Sequence, residues 1–244
     1  MCAAMGAILY TFDGGITILG IKSGVEEILQ KNGFLPNFGF NREKKQDIHG
    51  TTIEYQRFDG EDSKAFKEYV ARHFIGKGIP NMSHALHRKF RESIAEIFEN
   101  AVEHSETKHG IFACGQYFPG YRRLDFSISD LGIGIRNKVL REIGLNMSSE
   151  KAISWALEAE NTTRQREDGK PGGLGLKLIK EFIRLNSGKI QIISDSGYWC
   201  YHKNEIVTEH FPSPFPGTVV NIEINTADKQ SYCLASEIDP KEIF

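Results

Sequence analysis

The stretch Ser83–Ser105, SHALHRKFRESIAEIFENAVEHS, carries the clearest structural signal in the chain. Leu86, Phe90, Ile94, Ile97, Phe98 and Ala101 recur at the three- and four-residue steps that place side chains on one face of an α-helix. Pro80 stands ahead of this run, with Asn81 and Ser83 as candidate N-caps, and the helix is read to about Ser105. A second stripe runs beside the apolar one, with Glu96, Asn100 and His104 at i, i+4 and i+8. Taken alone, such a stripe is what any solvated helix face shows. Its other reading is a row aimed into a cleft. Asparagine then offers a neutral oxygen to a magnesium ion, and a carboxylate one turn earlier orients or deprotonates a nucleophile.

Downstream of this helix, Gly110 to Phe118 and Leu124 to Ser129 read as two strands around the turn Pro119-Gly120, and Leu124, Phe126 and Ile128 alternate with polar residues. A further helix from Ser148 or Ser149 to about Glu160 leads into Asn161 to Pro171, a polar stretch without apolar periodicity that is expected to be mobile. Leu174 to Leu185 is the next helix, with Gly188 expected to end it in a left-handed conformation. Lys189 to Ser194 and Thr218 to Asn225 are the last strands expected. Upstream, the first ~80 residues alternate short apolar runs, Ile16 to Ile21 and Thr51 to Tyr55, with helix-like stretches at Ser23 to Gln30 and Asp62 to Phe74. Asn32 to Gln46 between them is rich in turn-forming residues and reads as a surface loop.

The bulk composition excludes several classes. Hydrophobic residues at 40% and charged residues at 25% are ordinary for a globular chain. No apolar run approaches the roughly 20 residues that span a bilayer. The start, MCAAMGAILYTFDGG, lacks the basic and long apolar regions of a signal peptide, so a cytoplasmic location and no membrane association are expected. Cys2, Cys114, Cys200 and Cys233 lie far apart with no CxxC pair, which argues for reduced thiols rather than a zinc knuckle or a disulfide framework. A formal net charge of -2, with the cluster Arg42 to Lys45 broken by Glu43, leaves no footprint for nucleic acid.

Three further motifs give the polar stripe a context. Asp130-Leu131-Gly132-Ile133-Gly134-Ile135 ends a strand with a carboxylate, which can accept from an exocyclic amine such as adenine's, and with two glycines that allow close backbone approach. Pro171-Gly172-Gly173-Leu174-Gly175-Leu176 opens a helix whose free N–H groups and positive dipole end suit phosphate. Gly217-Thr218 starts the terminal strand, where a hydroxyl can support the carboxylate or the base. Each alone is an ordinary turn, helix entry or strand start; their order and spacing are what carry information.

ExxxNA at Glu96 to Ala101, DxGxG at Asp130 to Gly134, GGLGL at Gly172 to Leu176 and Gly217-Thr218 resemble, in that order, the boxes of GHKL (histidine-kinase-like) ATPases over about Ser83 to Asn225. The resemblance implies an α/β architecture of α+β sandwich type. It has a mixed sheet, helices on one face, and ATP or ADP with Mg2+ held between helices and a lid. Residues 81–228 would form this domain, residues 1–80 a small α/β unit similar to a reduced STAS-like fold, and residues 229–244 a tail. Carried over position by position, Asn100 is similar to the magnesium ligand, Asp130 to the adenine reader, and Gly132 and Gly134 to the adenine-pocket glycines. Gly172, Gly173, Gly175 and Leu176 correspond to the phosphate-cradling hinge of the lid, Thr218 to the final threonine, and Glu96 to the carboxylate that acts as base in members that use the γ-phosphate. Lys177 can touch phosphate or be a solvated first-turn charge.

Other readings fit less well. Asp130 to Asn137 supplies GxGxxN rather than the dinucleotide-binding GxGxxG, and no P-loop occurs. Neither His84 nor His87 is followed by the acidic residue of a phosphoacceptor box. With ~20 residues after the final strand, the transducer domain of gyrase-like, chaperone-like or mismatch-repair members is not expected. The compact members remain, resembling anti-sigma-factor serine kinases, which work on protein partners; a homodimer is compatible with this. A protein kinase or regulator, a slow ATPase switch and a module with structural nucleotide are the three functions carried forward.

Overall fold

The computed structural model describes residues 2–12, 17–40, 43–158 and 174–238. Three helices come first, α1 (Cys2–Leu9), α2 (Ser23–Lys31) and α3 (Phe34–Asn37). Strand β1 (Thr52–Phe58), α4 (Ser63–His73), β2 (Asn81–Met82) and the long α5 (His84–His104) follow. Then come β3 (Ile111–Phe118), β4 (Arg123–Asp130), α6 (Gly134–Ile143), α7 (Ser149–Ala156), α8 (Leu174–Asn186), β5 (Lys189–His202), β6 (Glu205–Asn225) and β7 (Ser231–Tyr232). Asn161 to Gly172, the expected lid, lies outside the described residues.

Helix α5 starts where its sequence says it should. The extended Ser83 accepts a hydrogen bond from Leu86 N–H at 3.1 Å, satisfying one of the donors that a helix start leaves open. Leu86, Phe90, Ile94, Ala95, Ile97 and Phe98 are its buried face. Phe98 stacks on Phe66 of α4 with centroids 4.4 Å apart, and Phe90 meets Phe182 of α8 edge-on at 4.9 Å. Emptying a fully buried position such as Phe98 by truncation to alanine costs about 3–5 kcal/mol.

Five strands form one sheet in the order β1-β3-β4-β6-β5, with every pair antiparallel. The parallel pairing found among the described residues is the separate two-stranded ladder of β2 and β7. One sheet face carries Ile53, Ala113, Phe126, Ile128, Ile192 and Ile222 into the main core, where α4, α5 and α8 cover it. The α+β class and the helical layer are as expected, but the sheet is antiparallel throughout rather than mixed, because each of its strands pairs only with neighbours running the opposite way. Beyond the expectation, the opposite face is also covered over β1 and β3, where Phe34, Leu35, Tyr55, Phe112 and Cys114 form a second core with α1, α2 and α3. Strand β1 is therefore an edge of the same sheet, paired with β3.

Several local expectations are corrected. The described part of the run Ile16 to Ile21 forms no strand, and the loop Asn32 to Gln46 contains the helical turn α3. Gly188 does not end α8 in a left-handed conformation; Ser187 takes that role with φ 57°. Glycine is needed at 188 because a Cβ there would lie 2.3 Å from the Glu223 carbonyl oxygen. Strands β5 and β6 run beyond the expected Ser194 and Thr218 as an arm, closed by Lys203 and Asn204 at φ 51° and 63°, the geometry of a tight primed turn. The tail is tied down as far as 238, since Ser83 N–H donates to the Tyr232 carbonyl at 2.8 Å and Ser83 Oγ to Glu237 Oε2 at 2.5 Å.

Candidate functional site

Along β4 the helix-facing side chains read Leu124, Phe126, Ile128 and then Asp130. Register carries that change across the sheet. Ile128 pairs with Val220 and Val220 with Ile192, whereas Asp130 pairs with Thr218 and Thr218 with Ser194. An apolar floor thus ends in one cross-strand row of three polar side chains. Asp130 is only 4% exposed and Ser194 fully buried. Burial raises the Asp130 carboxyl from its ordinary range to about 7, against the pull of the Gly132 and Thr218 backbone N–H groups. Its Oδ1 accepts from Gly132 N–H at 2.9 Å.

The loop after Asp130 is docked on two sides. Ile133 N–H donates to the Ser105 carbonyl at 2.8 Å, which joins the loop to the C-terminal end of α5. A Cβ on Gly132 would sit 2.0 Å from that same oxygen, so a side chain at 132 would push the loop off the helix. On the other side, Ile135 N–H donates to Ser194 Oγ at 2.8 Å, and Ser194 Oγ and Thr218 Oγ1 share a hydrogen bond at 2.9 Å. Gly134 adopts φ 75° beside the Ser194 hydroxyl. Gly217 adopts φ 127°, and a Cβ there would lie 2.2 Å from the Asp130 carbonyl. The glycines of both motifs therefore let backbone meet backbone around the carboxylate.

Glu96, Asn100 and His104 are half-buried on α5. Successive members are four residues apart, about 6 Å along the axis, and Asn100 precedes the loop-bound Ser105 by about 7.5 Å. The stripe consequently runs toward the loop that follows Asp130. Leu176 packs against the main core from the first turn of α8, and Lys177 beside it is exposed. Gly172, Gly173 and the surroundings of Gly175 lie outside the described residues. Among the described residues, no three His, Cys, Asp or Glu side chains cluster as a metal site, and no helix is long and apolar enough to cross a membrane.

Two contributors were not found from sequence. Ser194 looks like an ordinary strand serine until register sets it beside Thr218, and Ser105 acts through its carbonyl, which no side-chain pattern reports. A pocket of about 500 Å³ is also lined by Ile133, Asn137 and Leu140 of the loop and α6 and by Phe215 and Gly217 of β6.

The family model described as histidine kinase-, DNA gyrase B-, and HSP90-like ATPase matches residues 85–227, more than half of the chain. The chain belongs to this family, and it is an ATP-binding protein of the GHKL type. No curated protein matches the sequence significantly.

Proposed function

We propose that the protein works as an ATP-dependent protein kinase or signalling regulator of the anti-sigma serine-kinase type, using magnesium-ATP and acting on a protein partner. The observation that supports this is the polar row of Asp130, Thr218 and Ser194, lying at the sheet end to which α5 brings Glu96 and Asn100. A buried carboxylate with two hydroxyls at the rim of an apolar floor fits a flat base that presents an exocyclic amine.

In this reading the ionised Asp130 accepts from the adenine amine, and Thr218 and Ser194 hold the pocket backbone. Gly132 and Gly134 keep the loop close to α5 and β5. Asn100 offers its amide oxygen to magnesium, which needs few protein ligands because phosphate oxygens and water complete its shell. Gly172, Gly173 and Gly175 free the N–H groups at the start of α8 for phosphate. Glu96 orients and deprotonates the attacking hydroxyl. When bound, ATP supplies the γ-phosphoryl group that such a hydroxyl would accept.

Incubation of the purified chain with γ-labelled ATP, alone and with a protein extract, tests this beside the Glu96→Ala variant. Label entering protein only with intact Glu96 supports the kinase. Release of labelled phosphate without labelled protein assigns a slow ATPase switch. Binding with neither assigns a structural nucleotide.

A further inference from the structure

Helix α1 lies across β3 and β4 on the sheet face away from α5, and it brings Cys2 over Cys114. Cys2, the first residue of the helix, is half-buried; Cys114, in the middle of β3, is buried. Their thiols are within hydrogen-bond reach of each other. Two donors face the pair. Ala3 N–H points to the Cys114 sulfur, and Asn32 Nδ2 donates to Cys2 Sγ at 3.8 Å.

Asn32 is held ready for this. Its side-chain oxygen accepts from Phe34 N–H at 2.9 Å, and its carbonyl accepts from Tyr55 N–H at 2.7 Å. The sulfurs therefore meet where a helix start and a fixed amide both favour negative charge. Cys114 and then the opposing effect of burial act most strongly on the Cys2 thiol, which lies at about 7, while Cys114 is held above its ordinary range because the shared proton stays on it and it is buried. Neither thiol belongs to the nucleotide row. Cys200 is buried beside Tyr198 and Cys233 is exposed.

We propose that Cys2 and Cys114 form a peroxide-sensitive dithiol, with Cys2 as the attacking thiolate and Cys114 as the resolving thiol. The Cys2 sulfur attacks one oxygen of hydrogen peroxide, the O–O bond breaks, and sulfenic acid and hydroxide result. The Cys114 thiol then displaces the sulfenyl oxygen as water, and the S–S bond forms. In total, two thiols and one peroxide become a disulfide and two waters. The bond staples α1 to β3. Leu131, the neighbour of Asp130, packs against the same cluster.

The test treats the whole reduced chain with hydrogen peroxide, blocks remaining thiols and maps peptides without reduction, with Cys233→Ser in parallel to remove the exposed thiol. The expected result in both is a Cys2–Cys114 peptide in a protein two hydrogens lighter, reversed by dithiothreitol. The cross-linked chain should melt higher by about 5–10 °C, as closure of so long a loop implies. Two free, alkylatable thiols at 2 and 114 after treatment overturn the proposal, as does a link from Cys2 to Cys200 or Cys233.

Discussion

Ser194 on β5 and Ile135 at the start of α6 are joined by a 2.8 Å hydrogen bond from the Ile135 amide to the serine hydroxyl. The same oxygen lies 2.9 Å from Thr218 Oγ1, so one fully buried atom connects the loop after Asp130 to the strand that carries Thr218. Ser194 is thus a positioning residue for the proposed adenine pocket, which it supports through the backbone.

Replacement of Ser194 by alanine leaves the Ile135 N–H without its acceptor, at a cost of about 1–3 kcal/mol. Urea unfolding should show that loss, and titration calorimetry should show ATP affinity reduced by roughly tenfold, since a loosened loop must be ordered again on binding. Unchanged affinity in a destabilised variant would restrict Ser194 to a folding role.

Asp130 makes stability depend on pH in an unusual direction. Its carboxyl titrates at about 7 in the fold against 3.8 for its ordinary value, so between roughly pH 4 and 7 the folded state holds the proton that the unfolded state has lost. Its contribution therefore falls as pH rises through that window, and the full cost is present above about 7. Asp130→Asn abolishes this dependence. Relative to the parent, the variant should gain up to about 4 kcal/mol between pH 4 and pH 8, as urea unfolding without nucleotide would measure. A pH-independent difference would show that the carboxyl is ionised throughout. Asp130→Ala should also lose the ATP-induced stabilisation, about 2.7 kcal/mol at a hundredfold excess over the dissociation constant.

Glu96 and Asn100 are predicted to fail differently. Glu96→Ala should keep ATP affinity and lower phosphoryl transfer or hydrolysis by at least about a hundredfold, as removal of a general base does. Asn100→Ala should weaken binding in magnesium and leave weak binding in a chelator unchanged. Calorimetry with and without magnesium, beside a phosphate-release assay, separates the two; equal affinity losses would sink the division of roles.

What the sequence determined by itself was whatever has a local period or local chemistry. The α5 stripe from Leu86 to Ala101, its Ser83 cap and the alternation of Leu124, Phe126 and Ile128 follow from spacings of 3.6 and 2 that hold within a few residues. The DxGxG and Gly217-Thr218 motifs likewise mark Asp130, Gly132, Gly134 and Thr218 by local chemistry alone. The helix α1 was not legible, because CAAMGAIL shows no separated polar and apolar faces and owes its place to packing on β3 and β4. Nor was the arm beyond Ser194, where register shifts at Asp195 and Gly197 interrupt the alternation. Only the tertiary structure could set Asp130, Thr218 and Ser194 in one row, place the Ser105 carbonyl against Gly132, and bring Cys2 over Cys114. Strand register and close approach join residues distant in the chain, and one residue's slip in pairing would turn strand side chains such as Asp130, Thr218 and Ser194 to the other face.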